Sequence, residues 1–173
     1  QASTDQDIKV IIISAQGPVF CAGHDLKEMT AARDSDDGGK DYFTKLFSSC
    51  SVLMQAIVNC PKPVIAEING TATAAGCQLV ASCDLAIASN SSKFATPGVN
   101  LGLFCSTPMV ALSRNVKNKH AMEMLLTGDM IDAIKAKEIG LINHNVSEKE
   151  VKNETLNLAK KIASKSSLTV SIG

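Results

Sequence analysis

The chain has 173 residues, 45% of them hydrophobic and 20% charged, the size and make-up of one globular domain spanning residues 1–173. Seventeen Lys and Arg balance seventeen Asp and Glu, so no bulk charge attracts a phosphate backbone or an anionic lipid surface, and aromatics at 3% supply no stacking platform for bases. Disorder, nucleic acid as a partner and membrane as a partner are thereby excluded, the last also because the longest apolar run, residues 10–13, is far short of the roughly 20 residues of a membrane helix.

Residues 8–14 form an apolar, β-branched run closed by Gly17-Pro18, which predicts a core strand buried on both faces as in a parallel sheet. Asp25 caps a short helix over residues 26–32, and the charged, glycine-bearing stretch 34–39 reads as a mobile surface loop. From Asp41 to Asn59, the positions Phe43, Phe47, Cys50, Met54 and Ile57, with Leu46 and Leu53 beside them, recur at helical spacing and predict an amphipathic helix of about five turns.

Pro63 opens a second buried strand, residues 64–68, that stops at the turn dipeptide Asn69-Gly70; the small-residue segment 71–82 then suits a helix. Further strands are expected at 85–88 and 93–95, followed by a loop from Pro97-Gly98 to Thr107. Only helices are expected after that: 107–116, with Ser106 or Thr107 as N-cap, then 118–127, 132–139, and 147–164 with a Ser147/Glu150 capping box. Strands alternating with helices early and helices alone late indicate an α/β domain with parallel strands and a helical C-terminal part. The six cysteines show no short paired spacing, which predicts reduced, buried thiols and neither a disulfide framework nor a metal site. The chain opens without an initiator Met or an apolar signal stretch and is expected to be a fragment.

Two turns stand where chemistry is expected. Phe20-Cys21-Ala22-Gly23-His24-Asp25 leads from a strand into a helix start, where free backbone N–H groups face a crevice. Asn69 to Gly76 has the same placement after the next buried strand, and its small residues Ala72, Ala74, Ala75 and Gly76 let a ligand approach the main chain. Facing each other, two such turns supply two donors to one carbonyl oxygen.

These turns, with Lys62-Pro63-Val64-Ile65-Ala66, Ala75-Gly76-Cys77-Gln78-Leu79, Cys83-Asp84, Phe94-Ala95-Thr96-Pro97 and Leu126-Thr127-Gly128, resemble the ordered blocks of the crotonase (enoyl-CoA hydratase) superfamily across nearly the whole chain. The resemblance implies a spiral of ββα units with a helical C-terminal part, acyl-CoA ligands, and homotrimers or hexamers of the full-length protein. Against a full-length member, the resemblance leads one to expect that the opening strand and the last helices are absent. A mitochondrial matrix address follows from the resemblance alone, since reduced thiols suit the cytosol equally. No cofactor is implied beyond the coenzyme A thioester bound as ligand.

Carried onto this sequence, the resemblance makes the backbone N–H groups of His24 and Ala75 the oxyanion hole, a role indifferent to side-chain identity. It places Ala22, Gly23 and Lys27 along the adenine and phosphate portion of coenzyme A, Phe20 beneath the turn, and Gly76 beside the ligand. It also marks Gln78 and Gly98 as standing where the family's hydratases have two glutamates. Neither titrates, and a positioned acid or base is worth about 10²- to 10⁴-fold, so ordinary enoyl-CoA hydration is not expected. The His24 side chain has two roles open: acid, base or hydrogen-bond donor to an acyl carboxylate, as a similar Gly-His-Asp turn in a family decarboxylase suggests, or a solvent-facing ring whose backbone alone acts. Cys105 and Ser106 follow the second glutamate position and are candidate substrate contacts. The readings that compete are an acyl-CoA binding or regulatory protein without turnover, and a decarboxylase, thioesterase or isomerase that needs no glutamate pair.

Overall fold

The computed structural model describes residues 2–172. In chain order the elements are β1 (Ile11–Ser14), β2 (Val19–Cys21), α1 (Leu26–Ala32), α2 (Lys40–Val58), β3 (Val64–Ile68), β4 (Thr71–Thr73), α3 (Ala75–Ser82), β5 (Leu85–Ser89) and β6 (Lys93–Ala95). A short 3-10 helix, Pro97–Leu101, precedes α4 (Ser106–Asn115), α5 (Asn118–Thr127), β7 (Ile131–Asp132), α6 (Ala133–Glu138), β8 (His144–Val146), α7 (Val151–Ala163) and α8 (Ser167–Ile172).

The strands fall into two four-stranded sheets, ordered β1-β3-β5-β8 and β2-β4-β6-β7. The first is wholly parallel and the second parallel except for the antiparallel β6–β7 pair. Each turn of the chain gives one strand to each sheet before a helix returns it: β1 then β2, β3 then β4, β5 then β6. This stepping is the ββα spiral implied by the resemblance, and the α/β expectation is borne out.

The central strands β3 and β5 are buried almost throughout, because neighbours flank both edges and helices cover the faces, as their mostly apolar sequences require. Ile65, Ala66, Ile68, Ile87 and Ala88 lie at 0% exposure there, joined by Phe94, Leu112 and Leu125. This core fixes the C-terminal ends of β2 and β4, where the candidate site lies.

Several expectations need correction. The first strand begins at Ile11 rather than Ile8, and as the edge of its sheet it is half-buried, not covered on both faces. Residues 71–73 are strand β4 rather than helix, since the β-branched Thr71 and Thr73 pair with β2 on one side and β6 on the other. The late chain is not helices alone: β7 and β8 each complete a sheet with two or three residues. The stretch 34–39 is a bonded turn, in which the Ser35 hydroxyl donates to Asp37 at 2.7 Å and the Asp37 carboxylate accepts from the amides of Gly39 and Asp41. These bonds hold the Asp37 carboxyl below its usual range.

Helix α2 forms as read, but only Met54 and Ile57 of its apolar face are buried, and Phe47 and Leu53 stay exposed. Helix α4 has Cys105 at its N-cap with no side-chain cap, so neither Ser106 nor Thr107 caps it. Ser147 and Glu150 bond each other at 2.6 Å instead of reaching backbone donors, and α7 begins only at Val151. Of the cysteines, all of them free, only Cys77 and Cys83 are buried; the other four are half-buried.

Candidate functional site

Strand β2 ends at Cys21 and the chain turns through Ala22, Gly23 and His24 to Asp25, whose carboxylate caps α1 by accepting from the amides of Lys27 at 2.8 Å and Glu28 at 3.4 Å. Strand β4 ends at Thr73 and passes through Ala74 into α3. The two turns touch. The Thr73 hydroxyl donates to the Ala22 carbonyl at 3.3 Å, and a Cβ placed on Gly23 would lie 3.3 Å from the amide nitrogen of Ala75. On the other side of the contact, a Cβ on Gly76 would fall 1.9 Å from the Cys21 carbonyl oxygen, so only glycine lets the start of α3 pack on β2.

Ala74 makes the second turn with φ 52 and ψ −120, the one non-glycine residue with positive φ among the described residues. A side chain held there costs on the order of 1–3 kcal/mol. The conformation is held by the Ala74 amide donating to the Ala95 carbonyl at 3.0 Å and the Ala74 carbonyl accepting from Gln78 at 3.1 Å. The Ala75 amide, in the first turn of α3, and the His24 amide donate to no other atom among the described residues.

The His24 side chain does not simply face water. It is half-buried, and its ring meets Phe47 of α2 edge to face, with centroids 5.5 Å apart. Phe47 also lines a cleft of about 670 Å³ between α2, α3 and α4. Gln78 lines the same cleft from α3, so the two residues connect the paired turns to it. Met54, Thr107, Ala111 and Arg114 form other parts of the wall.

Gln78 is 7% exposed and its carbonyl oxygen has no hydrogen-bond partner. Gly98, in the 3-10 helix, lies in a different setting: its amide donates to the Cys105 sulfur at 3.3 Å, and a Cβ there would come within 2.7 Å of both that sulfur and the Leu103 carbonyl oxygen. Cys105 is therefore turned onto Gly98, and it also neighbours Cys77, whose thiol burial pushes up to about 12.

Of the residues singled out in the sequence, Ala22, Gly23, His24, Ala75, Gly76 and Gln78 lie on the two touching turns and the start of α3, and Phe20 is buried in β2, just before the first turn. Lys27 lies apart on the outer surface of α1 beside Thr30 and Asp34. Ser106 is exposed, its hydroxyl donating back to the Phe104 carbonyl at 3.3 Å, and neither it nor Cys105 lines the cleft. Sequence reasoning named Ala74 only as a small residue and missed its positive φ, along with Thr73 and the part Phe47 plays. The helical spacing of α2 contained Phe47, but as a core position and not as a partner of His24.

A family model described as enoyl-CoA hydratase/isomerase matches residues 1–172. A rat protein named enoyl-CoA hydratase domain-containing protein 3, mitochondrial, is 57% identical over 168 residues, covering 97% of this chain and 54% of the relative. A probable mitochondrial enoyl-CoA hydratase of Dictyostelium discoideum is 34% identical over 170 residues, covering 97% of this chain and 58% of the relative. The crystal structure of the human enoyl coenzyme A hydratase domain-containing protein 3 superposes with a TM-score of 0.91 at 56% identity, covering 99% of this chain and 66% of that one. An enoyl-CoA hydratase structure from Mycobacterium smegmatis gives 0.92 at 48% identity, covering 99% and 65%. The chain spans about half the length of the curated relatives it matches. With a spiral of ββα units, two facing turns and a family model matched from end to end, the chain belongs to the enoyl-CoA hydratase/isomerase, or crotonase, family.

Proposed function

We propose that this chain binds acyl-CoA thioesters, with the backbone amides of His24 and Ala75 holding the thioester oxygen, and that ordinary enoyl-CoA hydration is not its reaction. The observation that carries the reading is the contact between the two turns: Gly23, which precedes His24, lies against the Ala75 amide, and neither the His24 nor the Ala75 N–H is engaged elsewhere among the described residues. Two fixed donors aimed at one oxygen polarise a thioester and stabilise negative charge developing on it. Ala22, Gly23 and Lys27 flank the coenzyme A portion, Lys27 through its charge at the outer end.

Hydration also needs a base to take a proton from water and an acid to return it near the β carbon. Gln78 hydrogen-bonds but does not titrate, and Gly98 has its side-chain space taken by Cys105 and Leu103. A second reading, decarboxylation, thioester hydrolysis or isomerisation, rests on the same amides with the half-buried His24 ring beside them. The full-length protein is proposed to be a mitochondrial homotrimer or hexamer, in keeping with a family whose members bind acyl-CoA and are typically oligomeric and with relatives named mitochondrial.

Titration calorimetry with saturated, enoyl and malonyl thioesters of coenzyme A tests binding; heat and a thermal shift are expected, and their absence for every thioester overturns the reading. Crotonyl-CoA hydration is expected to be negligible, and robust turnover would contradict the argument from Gln78 and Gly98. Mass spectrometry of an acyl-CoA mixture before and after incubation separates binding without turnover from the second reading.

A further inference from the structure

Cys21 ends β2 and Cys50 lies midway along α2, both half-buried and both free. The segments that carry them run side by side: the His24 ring, just beyond Cys21, packs edge to face on Phe47 with centroids 5.5 Å apart, and Cys50 follows Phe47 by about one helical turn. Both cysteines also border α3. A Cβ on Gly76 would lie 2.8 Å from the Cys21 Cβ, and Cys50 lines the cleft together with Gln78. Burial pushes the Cys50 thiol up and a negative charge on Cys21 pushes it further, as a near neighbour does. Other cysteines are less suited to react: Cys77 and Cys83 are buried, with thiols pushed up to about 12, and the Cys105 sulfur accepts from the Gly98 amide. Cys50 faces the cleft, where a small oxidant reaches it.

We propose that Cys21 and Cys50 form a redox modification site, closed reversibly to a disulfide by a low-molecular-weight disulfide of the glutathione class. The Cys50 thiolate attacks one sulfur of oxidised glutathione, breaking its S–S bond and releasing one reduced glutathione. The Cys21 thiolate then attacks the Cys50 sulfur of the mixed disulfide and releases the second. Two protein thiols are oxidised, one glutathione disulfide is reduced, and the two thiol protons end on the departing glutathione thiols. Excess reduced glutathione runs the same steps backward. The new bond ties the end of β2, next to the His24 turn, to a helix of whose apolar face only Met54 and Ile57 are buried. Oxidation thereby pins α2 against the turn and fixes one wall of the cleft.

The experiment incubates the folded, reduced 173-residue chain with oxidised glutathione, alkylates the thiols that remain and reads intact mass, peptide maps and thermal melting. The expected product is lighter by two hydrogens before alkylation, carries alkyl groups on the other four cysteines, yields a peptide pair joining Cys21 to Cys50, and melts at a higher temperature than the reduced chain. In Cys21→Ser, Cys50 is expected to stop at the glutathione adduct. Six alkylated cysteines, a glutathione adduct that persists in the unmodified chain, or a linkage joining any other pair overturns the inference. A cross-linked chain that melts below the reduced one does so too, since the bond would then form only by pulling β2 and α2 out of place. The unmodified chain decides each of these points even if the variant fails to fold. None of them bears on acyl-CoA binding, which calorimetry tests separately.

Discussion

The carbonyl oxygen of Cys21 sits 1.9 Å from the point that a Cβ on Gly76 would occupy, so β2 and the first turn of α3 are in backbone contact. Both groups belong to main chain, and relief requires moving a strand or a helix. Gly76→Ala is therefore expected to destabilise the chain by about 3 kcal/mol, at the upper end for overpacking, as read by urea denaturation. An alanine variant of unchanged midpoint would mean that the two turns do not approach as described.

A glutamate at position 98 is expected to fail for want of room rather than of chemistry. The Cys105 sulfur and the Leu103 carbonyl oxygen both lie 2.7 Å from the Cβ it would introduce. Gly98→Ala should cost about 1–3 kcal/mol, and adding Cys105→Ala should recover part of that loss, because only the sulfur clash is removed. Denaturation of the two single variants and the double variant checks this. Strict additivity would show that residues 98 and 105 do not meet.

His24→Ala separates a backbone role from a side-chain role. Alanine keeps the N–H, so acyl-CoA affinity is expected to stay within about threefold, while loss of the edge-to-face contact with Phe47 lowers stability by about 0.5–1.5 kcal/mol. A tenfold or greater loss of affinity in a folded variant would make the imidazole itself a ligand contact.

Stability should fall in alkaline solution because of two thiols. Burial pushes both Cys77 and Cys83 up to about 12 from an ordinary value of 9.0. A thiol whose folded pKa is raised stabilises the fold fully below the unfolded value, and that contribution is lost as pH climbs from about 9 toward 12. Each thiol contributes a slope of about 1.4 kcal/mol per pH unit in that window. Denaturation midpoints at pH 8, 9.5 and 10.5 should trace the decline, with a shallower slope in Cys83→Ala. A slope indifferent to that substitution would place the titrating groups elsewhere.

Some of this was legible before any coordinates. The central strands β3 and β5 announce themselves as short, mostly apolar runs, and Asp25, Gly128 and Gly140 mark helix ends by local chemistry that needs no tertiary context. Strands β2, β4, β7 and β8 do not, since two or three residues carry no periodicity and are strand only because a neighbour offers a ladder. The two site turns were visible as glycine-bearing strand ends, and the resemblance assigned their amides. Their contact was not, because it depends on what Gly76 meets from a segment more than fifty residues earlier. The cleft was equally hidden: its walls come from three helices, and nothing in the spacing of α2 says that Phe47 leaves the core to pack on His24. Gly98 shows the limit most sharply, for the sequence reports only a glycine, whereas the fold packs the Cys105 sulfur and the Leu103 carbonyl oxygen against the place a side chain would take.

The positive-φ backbone at Ala74 has a further consequence. Its geometry is fastened to Ala95 through one amide and to α3 through one carbonyl, so the direction of the Ala75 N–H is set during folding, before any guest arrives. On the acyl-CoA reading, reorganisation on complex formation is then small at this point, and damage to β6 would be felt as a misaimed donor rather than as a missing one.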